Sequence, residues 1–197
     1  MKYSKDFKAH FSSKPAFSAR DASMFLQSKG ASAGYARLFL HNMAKRGELH
    51  AIARGAYTLN EEVESVGMAY SPYYYGLQEA LAIHGLWEQE TNPIVITPRT
   101  VRSGVRQFMG RNYLVRRIGR KMFFGFETRS YGDFWINVSD VEKTLLDFAH
   151  FREPLSKEVL AEFKRRIDQK KLSAYLKRVP KASRLMAERL LGKLKKK

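Results

Sequence analysis

Apolar side chains recur at helical spacing from the first residues of the chain. Tyr3, Phe7 and Phe11 stand four apart within Lys2 to Ser13, which predicts one amphipathic helix, and Lys14-Pro15 ends it. Ala16 to Phe17 can add a short strand. Ser18 is then a good N-cap, Ala22, Phe25 and Leu26 repeat at helical spacing, and Gly30 supplies a left-handed C-terminal cap, so a helix is predicted over Ala19 to Lys29. Ser32 can cap a further helix in which Ala36, Phe39, Leu40 and Met43 make the apolar stripe. Gly34, Arg37, His41 and Lys45 fall on its opposite face. After Gly47 the pattern becomes strand-like. Leu49 to Ala53, a turn at Arg54-Gly55 and Ala56 to Leu59 read as a tight hairpin, because Gly55 supplies the positive φ such a turn needs. Helix, turn, helix and hairpin in this order are the plan of a winged helix-turn-helix, predicted for residues 1–60.

The pattern changes sign at Asn60 to Ala69, where Glu61, Glu62 and Glu64 mark a linker or a short crossing helix. Beyond it, Ser71-Pro72 or Gly76 starts a helix through Leu77, Ala80, Leu81 and His84 that stops at Gly85. Pro93 to Thr97 has the β-branched run of a buried strand. Further strands are predicted at Asn112 to Ile118, Met122 to Thr128 and Asp133 to Val138. Ser139 to Glu142 has the form of a capping box, and the helix it opens runs to about Phe151 with Val141, Leu145, Phe148 and Ala149 inward. From Ser156 three helices follow, striped by Leu160, Phe163 and Ile167, by Leu172, Tyr175 and Leu176, and by Met186, Leu190 and Leu194. Pro180 separates the last two, and Lys195 to Lys197 are expected to fray. The predicted fold class is α+β: the N-terminal winged helix-turn-helix, then a second domain over 61–197, with a small mixed α/β sheet to about 150 and helices over 156–195.

Charge changes this picture most. The 197 residues hold 36 Lys plus Arg against 19 Asp plus Glu, a net charge of +17, which points to a polyanionic partner. Hydrophobic content of 44% fits a folded core. There is no cysteine, so disulfides and thiolate metal sites are excluded. The histidines at 10, 41, 50, 84 and 150 have no ligand spacing, and no metal or cofactor is expected. No apolar run reaches about 18 residues and the N-terminus has no apolar core. Neither a membrane partner nor a signal peptide is therefore expected, and the expected location is the cytoplasm.

In a helix-turn-helix the second helix enters the major groove of double-stranded DNA. Ser32, Ala33, Gly34, Tyr35, Arg37 and His41 are then the candidate base readers. Arg37 leads because a guanidinium fork can donate two hydrogen bonds to guanine O6 and N7, whereas His41 and Lys45 are better placed for phosphate. Gly34 would let the backbones approach closely, and Arg54 would stand at the wing tip. A second basic surface is predicted from Arg99, Arg102, Arg106, Arg111, Arg116 and Arg117, because no acidic residue occurs between Thr91 and Phe126. Flanking DNA or an acidic protein partner would suit it. The basic C-terminal helices would also suit a membrane surface, although their core-like stripes favour a folded helical subdomain.

Enzyme chemistry finds less support. Asp140, Glu142 and Lys143 invite a metal-assisted nuclease reading. Ser139 and Glu142 already have a capping role, however, and Lys143 follows Glu142 with no spacer. There is no phosphate-binding G-x-x-x-x-G-K-[S/T] loop and no nucleophile elbow. A binding protein, not an enzyme, is expected.

Three strings go beyond periodicity: I-A-R-G-A-Y-T-L at Ile52 to Leu59, G-L-Q-E-A-L-A-I-H-G-L at Gly76 to Leu86, and V-S-D-V-E-K-T-L-L-D-F at Val138 to Phe148. In their order and spacing the chain resembles, over about residues 15–150, the AbiEi-type antitoxins of abortive-infection (type IV) toxin–antitoxin systems, also described as transcriptional regulators of viral defence. The resemblance implies that the N-terminal domain represses its own operon and that the C-terminal domain opposes a nucleotidyltransferase-like toxin. Any nucleotidyltransferase activity would then belong to that partner. A stand-alone winged-helix regulator without a toxin is the alternative, ahead of a metal-dependent nuclease.

Overall fold

The structure is a computed structural model that describes residues 2–89 and 91–192, so Leu194 and the three terminal lysines lie outside the described residues. The chain is mixed α+β and divides into two compact units. One comprises Met1–Ser71 with Gln107–Arg111 and Ser130–Trp135, and the other Pro72–Arg106, Asn112–Arg129 and Ile136–Lys197.

The first unit begins α1 (Ser4–Phe11), β1 (Phe17–Ser18), α2 (Ala19–Ser28), α3 (Ala33–Lys45), β2 (His50–Ala53), β3 (Ala56–Thr58). Its core is the apolar set of the sequence pattern: Phe7, Phe11, Phe17, Ala22, Leu26, Ala36, Phe39 and Met43 are all buried. The rings interlock, with Phe7 4.6 Å from Phe11 and 5.0 Å from Phe39. Ser18 caps α2 in a complete capping box. Its hydroxyl accepts from the Asp21 amide at 3.0 Å, while the Asp21 carboxylate accepts from the Ser18 amide at 3.1 Å and is held below its usual range by the Ser18 hydroxyl and amide. The strands form a sheet in the order β1-β3-β2, with Tyr57 opposite Phe17 on one side and Ala51 on the other.

Of the two expectations for residues 60–69, a linker or a short crossing helix, the structure has the short helix. Val63–Tyr70 form a 3-10 helix with Val63, Val66 and Tyr70 buried, and Glu64 pairs with Arg111 at 3.9 Å. The apolar spacing overrides the change of sign.

The second unit holds β4 (Tyr74–Tyr75), α4 (Gln78–Ile83) and β5 (Ile94–Thr97), then α5 (Val141–Phe151), α6 (Lys157–Arg166), α7 (Gln169–Arg178) and α8 (Lys181–Gly192). The remaining strands are β6 (Gly104–Phe108), β7 (Arg111–Arg117), β8 (Phe126–Tyr131) and β9 (Phe134–Ser139). Their sheet runs β6-β7-β5-β4-β9-β8 and is mixed: β4 lies antiparallel to β5 and parallel to β9, and β5 parallel to β7. Two strands differ from expectation. Arg120–Met122 forms a 3-10 turn, so β8 starts only at Phe126, and β6 is an edge strand with Val105 and Gln107 exposed, which hides it from a hydrophobicity pattern.

Two helix starts also differ. Ser71-Pro72 opens no helix, because the next residues enter β4. Gly76 is not a cap but a point of close packing, where a Cβ would lie 2.4 Å from Ile96 Cδ1. The box expected at Ser139 to Glu142 does not form, since Ser139 ends β9 and its hydroxyl meets that of Thr144. Asp140 is the true N-cap: Oδ1 accepts from the Lys143 amide at 2.8 Å, while Glu142 reaches on to the Asp168 amide. Asp140 Oδ2 further accepts from the Tyr175 hydroxyl at 2.8 Å and pairs with Lys171 at 3.1 Å. Asp140→Ala should therefore exceed the loss of a simple cap, about 1 kcal/mol, and lower Tm by several degrees in thermal unfolding.

Candidate nucleic-acid interface

The first unit presents one helix face with no packing duty. The turn between α2 and α3 is set by Gly30, at φ +89°, and by Ser32, whose hydroxyl accepts from the Tyr35 amide at 3.2 Å. With Ala36, Phe39, Leu40 and Met43 buried beneath, the outward face of α3 carries Gly34, Leu38, His41 and Lys45 in line, and Arg37 stands on its shoulder. Tyr35 is half-buried, its ring edge-on to Tyr3 at 5.7 Å, so it packs inward more than it projects.

Gly34 has φ in the helical range and nothing within 4 Å of where a Cβ would be. Glycine inside a helix costs about 0.5–1 kcal/mol relative to alanine, and no neighbour in the fold requires it. Leu38 was not among the residues singled out from sequence. It is 55% exposed at the centre of this face, and its signal was an apolar residue four positions after Gly34 and seven before Lys45.

The cations of this face lie outside the ion pairs of the described residues, as do Lys2, Lys5, Arg20 and Arg46 elsewhere in the unit. Among the described residues the ion pairs within this unit are Lys8–Glu48, Lys29–Asp6 and Arg111–Glu64, and the His50 ring lies 3.9 Å from Glu61. None of them involves Arg37, Lys45 or Arg54, and α3 contains no acidic residue. Arg54 is exposed in the β2–β3 turn beside Gly55, at φ +75°, and the Gly55 carbonyl accepts from the Ala19 amide at 2.8 Å. The hairpin tip is thus fastened to the start of α2.

The second basic set is less uniform than its sequence. Arg102 and Arg117 are exposed, as is Arg99, while Arg106 is half-exposed and donates to the Arg102 carbonyl at 2.7 Å. Arg116 is not an unopposed charge: it forms a salt bridge with Glu153 and stands over the Phe151 ring at 5.5 Å. Arg111, in the first unit, has Glu64 beside it. The chain is free of acids from 91 to 126, but the fold brings acids in from outside that stretch.

The residues of the nuclease reading have structural partners. Lys143 is wholly buried between α5 and β4, paired with Asp147 and donating to the Tyr74 hydroxyl at 2.7 Å. Burial pushes the Lys143 ammonium below its ordinary range and the Asp147 carboxyl above its own, each against the attraction of the other. Glu142 pairs with Lys171 at 3.1 Å. Partial burial opposes the Lys171 charge, yet its bonds to Asp140 and Glu142 raise that ammonium above the usual lysine range, and burial with the Asp140 bond lifts Tyr175 to about 12. Among the described residues no three His, Asp or Glu side chains gather as a metal site would need, and no helix is long and apolar enough to cross a membrane. A scan against protein-family models and a search of curated proteins both found no match.

Proposed function

We propose that the first unit is a winged helix-turn-helix that binds double-stranded DNA, with α3 in the major groove and the β2–β3 turn as its wing. The carrying observation is the outward face of α3, which combines unpaired cations, an unexplained glycine and no acid. In this docking Arg37 reads a base edge and His41 and Lys45 meet phosphate. Gly34 brings the helix backbone close to the duplex, and Arg54 holds phosphate or the minor-groove edge beside the wing. Leu38 is placed for apolar contact with a thymine methyl. The chain acts as a binding protein and not as an enzyme.

Gly34 supplies the test. Gly34→Ala should raise Tm, because alanine favours the helix, and yet weaken DNA binding in a mobility-shift assay. A variant that is more stable and binds DNA like wild type would reject this docking. Lys45→Ala should weaken all sequences alike and reduce the salt slope of binding by about one unit.

At the level of biology we propose a transcriptional regulator that serves as the antitoxin of an AbiEi-type system. It would repress its own operon and oppose a nucleotidyltransferase-like toxin. The support is the set of three strings, and two of them build the core of the second unit. Leu77, Ala80 and Leu81 of one, and Leu145, Leu146 and Phe148 of the other, are buried. These strings therefore support a common fold more than a common partner surface. The test is co-expression of the full chain, wild type and Arg37→Ala/Lys45→Ala, with the product of the adjacent gene. Protection by both proteins, with operon repression lost only in the variant, is the expected result. DNA binding without protection would leave a stand-alone regulator.

A further inference from the structure

The second unit contains a cavity of about 410 Å³, within the roughly 300–1,000 Å³ typical of small-molecule sites. Its apolar surface comes from Leu77, Ile94 and Leu114, with the Trp87 indole beside them. Four carboxamides, Gln78, Gln89, Asn92 and Asn112, complete most of the lining. The ion pair Arg116–Glu153 is the charged element in it among the described residues.

Two details mark this cavity as built. Leu77 is buried and held at φ 56°, ψ −133°, a conformation that residues with a side chain avoid and that is typically kept where surrounding structure enforces it. It follows Gly76, the tight packing point against Ile96, so the strand-to-helix turn carrying Leu77 and Gln78 into the cavity is rigid. In addition, the Arg116 guanidinium that lines the cavity is fixed in place, because its Nη2 is engaged by Glu153.

We propose that this cavity binds a nucleobase, presented by a free nucleoside or nucleotide or by an unpaired position in a nucleic-acid strand. Each lining element selects for that chemistry. Trp87 and the aliphatic residues cover a flat apolar face. A carboxamide offers a donor and an acceptor side by side, which matches the edge of a base and not an alkyl or a fully ionic ligand. The one guanidinium among the described lining residues is neutralised by Glu153, so the site favours an uncharged ring. Independent of the α3 docking, this reading assigns the second unit a ligand of its own.

Trp87 and Trp135 are the chain's two tryptophans, and Trp135 is 65% exposed, so Trp135→Phe leaves Trp87 as sole reporter with little risk to folding. The full chain carrying that change is titrated with adenosine, guanosine, cytidine and uridine, with short single-stranded oligonucleotides, and with glucose as a stacking control. Saturable quenching of Trp87 by at least one nucleoside is expected, with binding weakened about tenfold by Asn112→Leu at unchanged Tm. Asn112 is exposed and makes no core contact that this substitution would lose. An oligonucleotide that binds more tightly than its nucleoside would assign the base to a nucleic acid, and equal or weaker binding to a free metabolite. No saturable response to any nucleoside or oligonucleotide, a response to glucose, or indifference to Asn112→Leu overturns the proposal.

Discussion

Replacing Arg37 with alanine should flatten the protein's preference among DNA sequences more than it weakens DNA binding in general. Arg37 is exposed on α3 and, among the described residues, outside every ion pair of its unit, so its guanidinium is available to an external acceptor. A bidentate contact to guanine is worth about 1–3 kcal/mol of discrimination, or roughly 5- to 150-fold between the right and wrong base. Binding to a preferred duplex should fall by that factor, and binding to a scrambled duplex by far less. Equal weakening on both duplexes would reassign Arg37 to phosphate and leave base reading to other residues of the face.

The largest stability effect should come from the second unit, at Lys143. Its ammonium is 0% exposed, and with Asp147 and the Tyr74 hydroxyl it forms a buried network in which Tyr74 also donates to Asp147 Oδ1 at 3.2 Å, while Asp147 Oδ2 has no partner among the described residues. Removing one member of a buried ion pair strands the other charge and costs about 3–5 kcal/mol. Lys143→Ala should therefore lower Tm by on the order of 10 °C in calorimetry. Burying the two charges is itself unfavourable, so replacing both, as Lys143→Met/Asp147→Leu, should recover most of the loss. A single variant that melts within a degree or two of wild type would contradict the buried ion pair.

Much of this architecture was legible along the chain, and the gaps have physical reasons. The stripes of α1, α2 and α3, the caps at Ser18 and Ser32, and the turn at Arg54-Gly55 depend on neighbours within four residues. Spacing alone exposes such features. The capping box at Ser139 failed because β9 extends one residue beyond its apolar pattern, and only pairing in the sheet reveals that. The short helix at Val63–Tyr70 was one of two readings, because the glutamates before and within it read equally as a linker. The basic stretch from 91 to 126 has no acid of its own, so the partnerships of Arg116 with Glu153 and Arg111 with Glu64 were invisible until the fold brought distant residues together. The same holds for the cavity. Gln78, Asn92, Asn112 and Arg116 are unremarkable singly and acquire meaning only as neighbours.

The central claim is that the outward face of α3 reads DNA. The most direct measurement is the affinity of the full chain for a duplex spanning the region upstream of its own gene, against a scrambled duplex of equal composition, across a range of salt concentrations. The upstream duplex should bind at least about 10³-fold more tightly, and both affinities should fall steeply as salt rises, because phosphate contacts release counterions in either case. Equal affinity for the two duplexes at every salt concentration would mean that the charge of the protein, and not the face of α3, accounts for its binding.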